Sequence, residues 1–346
     1  MTEKKLKPHK NAGYLITDYY QRRYFSGIDV SEGFLFVSTK KVYFTDSRYT
    51  EEVDNLLRGK EIESINYSSL SDICDFIKGL GVKTLFIDYS KTNVNLYKDL
   101  KKQGFILRDS SNLINQSISI KSQKELTLIK KACEITEKAY YYATSQIREG
   151  ITELEVKEII ENKFIELGAD GVAFETIVAF GEGSSVPHHV TGDKKLEIGN
   201  VILIDMGAKY KGYSADLTRT AVFRTAYKEF IDDYNLVLTA QTNALNNIKS
   251  GMSLREADGL SRRVFESENK SAYFLHSLGH GLGLEVHEYP TLSPKREGIL
   301  KNGMVFTIEP GIYFKGKYGI RIEDTVVLDN GKVQRLFTDS KELLII

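Results

Sequence analysis

The stretch 197–220 shows the clearest change of hydrophobic pattern along the chain. Four consecutive apolar residues at positions 201–204 predict a short buried strand, and this run ends on Asp205. Glycines at positions 207 and 212 predict turns before a second carboxylate, Asp216, is reached. The pattern therefore predicts a β-hairpin that places Asp205 and Asp216 side by side.

Two carboxylates this close repel each other, and such pairs are tolerated mainly when a metal ion lies between them. Taken singly, an aspartate such as Asp205 or Asp216 is more often a turn residue or a salt-bridge partner than a metal ligand. Other residues of the chain are needed to distinguish between these alternatives.

Short strands and helices alternate along the first third of the chain. Apolar runs at 33–39 and 41–46 predict strands, residues 70–77 and 94–102 predict helices, and such alternation is typical of an α/β domain. The Ser- and Asn-rich segment 109–123 is predicted to be a linker.

The remainder of the chain predicts two similar halves. Capping-box patterns begin at Ser122 and Thr152 and open two amphipathic helices, which strands follow. A helix over 227–248 and a third capping box at Ser253 then repeat this order. The second domain is therefore predicted to be pseudo-duplicated.

Composition narrows the classes of function. The 346 residues include 47 Lys and Arg against 47 Asp and Glu, so neither nucleic acid nor an anionic membrane is expected as a partner. No signal peptide is predicted at the N-terminus, where His9 is expected to be inert. Cys74 and Cys133 fit no metal or redox motif, which predicts buried thiols and a cytoplasmic location.

Acidic residues recur in the strands of the second half, where Glu309 and Glu323 would add two carboxylates to the same cleft. Four acids around one imidazole match the ligand preference of Mn²⁺, Co²⁺ or Zn²⁺, and so many carboxylates favour two ions over one. The predicted reaction class is metal-assisted hydrolysis. Arg321 lies two residues before Glu323 and would either steady a carboxylate or form a surface ion pair. Five of the six histidines also fall in this domain: His188, His189, His276, His280 and His287.

At these residues the chain resembles the pita-bread metallopeptidases, which include methionine aminopeptidase, aminopeptidase P, prolidase and the non-metallo relative creatinase. The resemblance rests on LIDMGA, SADLTRT, GHGLGLEVHE, TIEPG and IRIEDT in family order and spacing. RRYFSGIDVSEGFLFVS and FTDSRYTEEV are similar to the creatinase-type N-terminal domain of the proline-specific members. The resemblance implies an α/β N-terminal domain, residues 1–118, followed by an α+β pseudo-duplicated pita-bread catalytic domain, residues 119–346.

The resemblance also implies roles for individual residues. The metal ligands would be Asp205, Asp216, His280, Glu309 and Glu323, with Asp216 and Glu323 bridging two divalent ions. Mn²⁺ is the first choice of ion, and Co²⁺ and Zn²⁺ are the alternatives. Glu309 would also act as the acid and base, and His189 matches no catalytic position. The other catalytic residues would be His188, His276, His287 and Arg321.

The function implied is a dinuclear metal-dependent exopeptidase of aminopeptidase P type, which hydrolyses the Xaa-Pro bond at the N-terminus of peptides. An Xaa-Pro dipeptidase (prolidase) is the alternative. The expected partners are peptides with proline in the second position and a second copy of the chain in a homodimer. A non-catalytic binding protein of the same fold is opposed by the intact ligand set, and a methionine aminopeptidase is opposed by the N-terminal domain.

Overall fold

The computed structural model of the chain describes residue 6 and residues 11–346. The chain forms two compact units, Met1–Ile118 and Ser119–Ile346. His9, expected to be inert, lies outside the described residues. Cys74 and Cys133 are buried free thiols, as predicted.

The first unit is built on a six-stranded sheet in the order β4-β3-β2-β1-β5-β6. Its strands are β1 (Ala12–Ile16), β2 (Phe34–Val37), β3 (Lys41–Thr45), β4 (Glu63–Asn66), β5 (Thr84–Ile87) and β6 (Ile106–Asp109). The helices are α1 (Tyr19–Ser26), α2 (Thr50–Leu57), α3 (Leu70–Gly79), α4 (Val94–Lys102) and α5 (Ser111–Ser119).

The central strands of this sheet are buried on both faces, whereas the edge strands β4 and β6 are largely exposed. Leu35 and Val37 pack in the core on one face, whereas Phe36, which lies between them, packs in the core on the other. Side chains alternate between the two faces of a strand, so a strand covered on both faces needs apolar residues at every position.

The predicted linker over 109–123 contains the boundary between the two units, but most of it is helix α5. This Ser- and Asn-rich segment contains two apolar residues that lie four positions apart. Ile114 is buried in a core cluster, and Ile118 packs against the same cluster. One helical turn brings residues at this spacing onto one face.

The first half of the second unit begins with α6 (Gln123–Gln146) and α7 (Glu153–Glu166). The predicted capping boxes at Ser122 and Thr152 are both formed. The strands are β7 (Gly171–Val172), β8 (Ile177–Phe180), β9 (Val201–Met206), β10 (Ala208–Tyr210), β11 (Tyr213–Ser214) and β12 (Leu217–Val222).

The second half repeats this order with α8 (Lys228–Asn247) and α9 (Leu254–Ser267), and Ser253 again forms a capping box. The pseudo-duplication is thereby confirmed. Its main sheet has the order β14-β13-β15-β18-β19, and β20 pairs with β12 of the first half. The strands are β13 (Gly279–Gly281), β14 (Glu288–Leu292), β15 (Val305–Ile308), β16 (Gly311–Phe314), β17 (Tyr318–Arg321), β18 (Asp324–Asp329), β19 (Lys332–Arg335) and β20 (Leu344–Ile345).

Strands β9 and β12 form the antiparallel pair that the sequence predicts, with Asp205 opposite Thr218. Between them, β10 and β11 make a tight hairpin whose two loop residues, Lys211 and Gly212, have φ of 48° and 82°. Gly207 has a different role from the predicted turn. A Cβ at this position would lie 2.0 Å from the carbonyl oxygen of Ala215, so the glycine permits a close approach of two backbones.

Candidate metal centre

The four acidic side chains lie at equivalent places in the two halves. Asp205 is near the end of β9 and Asp216 directly precedes β12; in the second half, Glu309 directly follows β15 and Glu323 directly precedes β18. Both strand pairs are antiparallel, so the end of one strand lies beside the start of its partner. Backbone hydrogen bonding joins the halves here, since the Glu323 amide donates to the Thr218 carbonyl at 3.1 Å.

Three of the predicted ligands form a compact group. Asp216, His280 and Glu323 each offer one ligand atom, and these atoms all lie within 4.8 Å of one another. The His280 Nε2 atom is 3.6 Å from Asp216 Oδ2 and 3.3 Å from Glu309 Oε1. The structure thus brings acids from both halves around one imidazole.

The surroundings of His280 fix which ring nitrogen faces the acids. Its Nδ1 atom lies 3.2 Å from the Gly281 carbonyl oxygen, to which only a protonated nitrogen can donate. The Nε2 lone pair is then directed at the acidic group, as a metal ligand requires. Gly279 makes room for this strand, because a Cβ there would lie 2.0 Å from the Thr307 carbonyl oxygen.

Asp205, the fourth acid, is held by Arg321. The guanidinium NH2 atom lies 2.6 Å from Asp205 Oδ2. The other oxygen, Oδ1, is buried and has no hydrogen-bond partner among the described residues. Arg321 itself is only 4% exposed, which excludes the alternative of a surface ion pair.

The acids destabilise one another's charged forms. Burial raises the pKa of Asp216 well above its ordinary value, and the charges of Glu323 and Asp205 raise it further. Burial followed by the charge of Glu309 has the same effect on the pKa of Glu323. A cation would reduce this repulsion and would also give the buried Oδ1 atom of Asp205 a partner. The donor set of carboxylates and one imidazole therefore fits divalent metal ions.

A chain of hydrogen bonds links Arg321 to His276. The Arg321 NH1 group donates to the Tyr313 hydroxyl at 2.8 Å, and this hydroxyl lies 2.9 Å from His276 Nε2. Since His276 Nδ1 lies 2.9 Å from the Ser277 carbonyl oxygen, Nδ1 carries the proton and Nε2 accepts from Tyr313. Both ring nitrogens of His276 thus have protein partners. Burial lowers the pKa of His276, which favours this neutral ring.

Two residues at the site are missing from the sequence prediction, Thr218 and Tyr313. The Thr218 hydroxyl donates to Glu323 Oε2 at 2.5 Å and accepts from Arg321 Nε at 2.9 Å. The sequence does contain a signal for Thr218. In the motif SADLTRT this residue lies two positions after Asp216, and this spacing places both on the same face of a strand.

The remaining predicted histidines surround this group. The His287 ring centroid lies 4.2 Å from that of His280, and His287 is exposed to solvent. His188 is also exposed. Burial is the main cause of the lowered pKa values of His276 and His287, and the charge of His188 lowers both of them further. His189 faces elsewhere, with Nε2 2.8 Å from the buried carboxylate of Glu153.

A buried network of charges lies directly behind the acids. Arg219 forms ion pairs with Asp324 at 2.7 Å and with Asp339 at 2.5 Å, and Arg335 contacts both of these aspartates. Burial alone would raise the pKa of Asp324, but Arg219 and Arg335 outweigh it and lower this pKa to about 2. Asp324 directly follows Glu323, so the network fixes the backbone that presents a predicted ligand.

Comparison with known proteins identifies the family. Residues 127–330 match metallopeptidase family M24, and residues 2–118 match the creatinase/prolidase N-terminal domain. The chain belongs to metallopeptidase family M24. An Xaa-Pro dipeptidase of Pyrococcus horikoshii is 39% identical over 288 residues, which are 82% of each chain.

Solved structures of similar sequence share the fold. An Xaa-Pro dipeptidase from Bacillus anthracis superimposes with a TM-score of 0.92 at 33% identity, covering 96% of this chain and 95% of that one. An X-Pro aminopeptidase from Thermotoga maritima has a TM-score of 0.89, with the same identity and coverage. The resemblance and the fold class inferred from the sequence are thus confirmed.

Among the described residues, no helix combines the length and the apolar composition needed to cross a membrane.

Proposed function

We propose that this M24 peptidase is a dinuclear metal-dependent exopeptidase that hydrolyses Xaa-Pro bonds, with Xaa-Pro dipeptides as its preferred substrates. The observation that carries the proposal is the convergence of Asp216, His280 and Glu323 from the two halves of the domain. The sequence favoured the aminopeptidase P type over the prolidase alternative. The names of the similar proteins favour prolidase, although an X-Pro aminopeptidase is among them.

The ligand set proposed is the one inferred from the sequence motifs. Asp216 and Glu323 would be the ligands shared by two ions, and Asp205, His280 and Glu309 would complete the set. The buried, unpaired oxygen of Asp205 supports its part in this set. When bound, the ions supply a Lewis acid for the scissile carbonyl and lower the pKa of a water molecule to the neutral range.

Glu309 is proposed to move the proton from the attacking water to the leaving imino nitrogen of proline. Burial raises the pKa of Glu309, so this carboxyl can both take and give a proton closer to neutral pH. The Thr307 hydroxyl, 3.1 Å from Glu309 Oε1, holds the side chain in position.

His287 and His188 are proposed to donate hydrogen bonds to the oxygen of the scissile carbonyl as negative charge develops on it. Their exposure beside the buried acids supports this assignment. His276 and Arg321 act through the chain of hydrogen bonds that contains Tyr313, which orients Asp205 and keeps His276 neutral.

Proline in the second position requires a dedicated site because the Xaa-Pro bond is a tertiary amide without N–H and its ring fixes φ. We further propose Mn²⁺ as the physiological ion, with Co²⁺ or Zn²⁺ as alternatives, a homodimeric state, and a location in the cytoplasm.

The decisive experiment compares hydrolysis of an Xaa-Pro dipeptide, the matching Xaa-Pro-Xaa tripeptide and an Xaa-Ala dipeptide by protein reconstituted with Mn²⁺, Co²⁺ or Zn²⁺. A higher kcat/KM for the Xaa-Pro dipeptide than for the other two supports the proposal. A higher value for the tripeptide restores the aminopeptidase P alternative. Comparable rates with Xaa-Ala contradict proline specificity, and no hydrolysis with any ion indicates a binding protein.

A further inference from the structure

His189 and Glu153 form a contact that neither the metal centre nor the sequence motifs explain. Glu153 is the first residue of α7, and its side chain is only 1% exposed. Its Oε2 atom lies 2.8 Å from His189 Nε2, and His189 directly follows His188 in the chain. A buried carboxylate is costly unless every oxygen has a partner, so this arrangement needs a cause.

The Glu153 carboxylate receives hydrogen bonds from several points of one segment. The amide of Phe180 donates to Oε1 at 2.8 Å, and the amide of Gly192 donates to Oε2 at 3.0 Å. Glu153 therefore contacts the chain just before position 181, at position 189 and at position 192. We call residues 181–192 the histidine segment.

The protons on this contact can be assigned from the donors. Both oxygens of the Glu153 carboxylate accept a hydrogen bond from a backbone amide, and a carboxylate oxygen can only accept. His189 Nε2 must therefore carry the proton and donate to Glu153. The ring is also packed tightly, because a Cβ on Gly183 would lie 3.0 Å from His189 Cε1.

The histidine segment has a second anchor before His188. The Ser184 hydroxyl accepts from the amide of Gly319 at 2.9 Å, and the Ser185 hydroxyl accepts from that of Gly316 at 3.3 Å. His188 thus lies between two anchors. One is formed with β17 and the turn before it, and the other is formed with Glu153 on α7. Its own side chain is exposed and does not share in either.

We propose that His189 is a positioning residue: by donating to the buried Glu153 carboxylate, it holds the histidine segment so that His188 faces the metal centre. This inference rests on the proposed function, because it assumes that His188 contacts the substrate. Misplacing a catalytic group by about 1 Å can cost a large factor in rate. Loss of one of two anchors should therefore lower activity without removing metal.

The test compares His189→Ala, His189→Gln and His189→Asn on an Xaa-Pro dipeptide. The Gln amide nitrogen can occupy the place of Nε2 and donate to Glu153, whereas the shorter Asn cannot reach it. We expect kcat/KM to fall about tenfold for Ala and Asn and to stay within about threefold of wild type for Gln. Glu182→Gln, which changes an exposed carboxylate of the same segment, is the matched control and should have no effect.

A double-mutant cycle separates action through His188 from general support of the fold. In a His188→Ala background, adding His189→Ala should lower kcat/KM by less than about twofold, because the group it positions is already gone. An equal loss in both backgrounds overturns the proposal. Wild-type activity of His189→Ala, or failure of His189→Gln to recover activity in folded protein, overturns it as well.

A readout without substrate distinguishes this proposal from the proposed function. In protein labelled at its histidine rings, the His188 signal in NMR spectra should shift and broaden in His189→Ala and Glu153→Gln and return in His189→Gln. This outcome supports the anchor even if no Xaa-Pro peptide is cleaved. An unchanged His188 signal in both disrupting variants overturns it.

Discussion

The Arg321 guanidinium lies 2.6 Å from one oxygen of Asp205 and leaves the other oxygen buried without a partner among the described residues. The same guanidinium also donates to Tyr313 and Thr218. One side chain therefore orients a predicted ligand and connects it to residues that contact His276 and Glu323. The planar, forked donor set of arginine suits this task, whereas lysine offers one point charge.

We predict that Arg321→Lys lowers kcat about 10- to 100-fold and weakens the binding of at least one metal ion, because a single ammonium cannot reach all three partners. The measurements are kcat on an Xaa-Pro dipeptide and metal content after dialysis. Arg148→Lys, at an exposed arginine 3.9 Å from Glu155, is the control and should change neither. Full activity of Arg321→Lys would show that its charge alone suffices.

The sequence was sufficient to predict the fold class, the capped helices and the β9–β12 strand pair around Asp205 and Asp216. These features follow from local periodicity and from motifs of a few residues. Thr218 and Tyr313 escaped prediction because their partners are set by the tertiary fold: Thr218 and Glu323 are 105 positions apart. The Glu153–His189 contact, across 36 positions, was missed for the same reason. Helix α5 was not predicted because the Ser and Asn content of the segment indicated a linker, although the spacing of Ile114 and Ile118 is helical.

A second prediction concerns His287, whose exposed ring lies beside that of the predicted ligand His280. If His287 donates to the developing oxyanion, His287→Ala should lower kcat by about 10²–10³-fold, as expected for one lost oxyanion donor. Metal analysis should still find about two ions per chain. Loss of metal together with activity would instead make His287 a ligand, and an unchanged kcat with a raised KM would restrict it to substrate binding.

The third prediction is that metal binding releases protons from the buried carboxyls. Burial and mutual repulsion raise the pKa values of Asp216 and Glu323 in the metal-free protein, so these carboxyls retain protons that a cation must displace. Titration calorimetry in two buffers of different ionisation enthalpy measures this release. Heats that are independent of the buffer would contradict it.

The same pKa shifts set the sign of a stability change. A carboxyl whose pKa is higher in the folded state than in the unfolded state favours folding as it becomes protonated. The metal-free protein should therefore gain thermal stability as the pH falls through the raised pKa values towards the ordinary pKa of a carboxyl. Thermal unfolding with and without a chelator checks this, and the benefit of added metal should be largest at the higher pH.

The fourth prediction concerns Asp324, which is buried with Arg219 and Arg335. Asp324→Asn leaves the two guanidinium groups with the single carboxylate of Asp339, so one buried positive charge is uncompensated. The substitution should lower the free energy of unfolding by about 3–5 kcal/mol at neutral pH. Urea unfolding measures this loss. Asp329→Asn, at the far end of β18, is the matched control and should cost much less.

The effect of Asp324 should depend on pH in a defined way. Its pKa is lowered to about 2, so its contribution is complete above the ordinary pKa of an aspartate and disappears as the pH falls towards 2. The difference in stability between wild type and Asp324→Asn should therefore be constant from about pH 7 to 5 and narrow below about pH 4. A difference that narrows already near pH 6 would assign the effect to another group.

The division of the acids between the two halves of the catalytic domain has a consequence for how activity arises. Asp205 and Asp216 come from the first half and Glu309 and Glu323 from the second, so neither half contains a complete site. A chain whose synthesis stops, or which is cut by another protease, before Glu323 would have no partial activity. Activity would therefore arise only after both halves have been synthesised and have folded together.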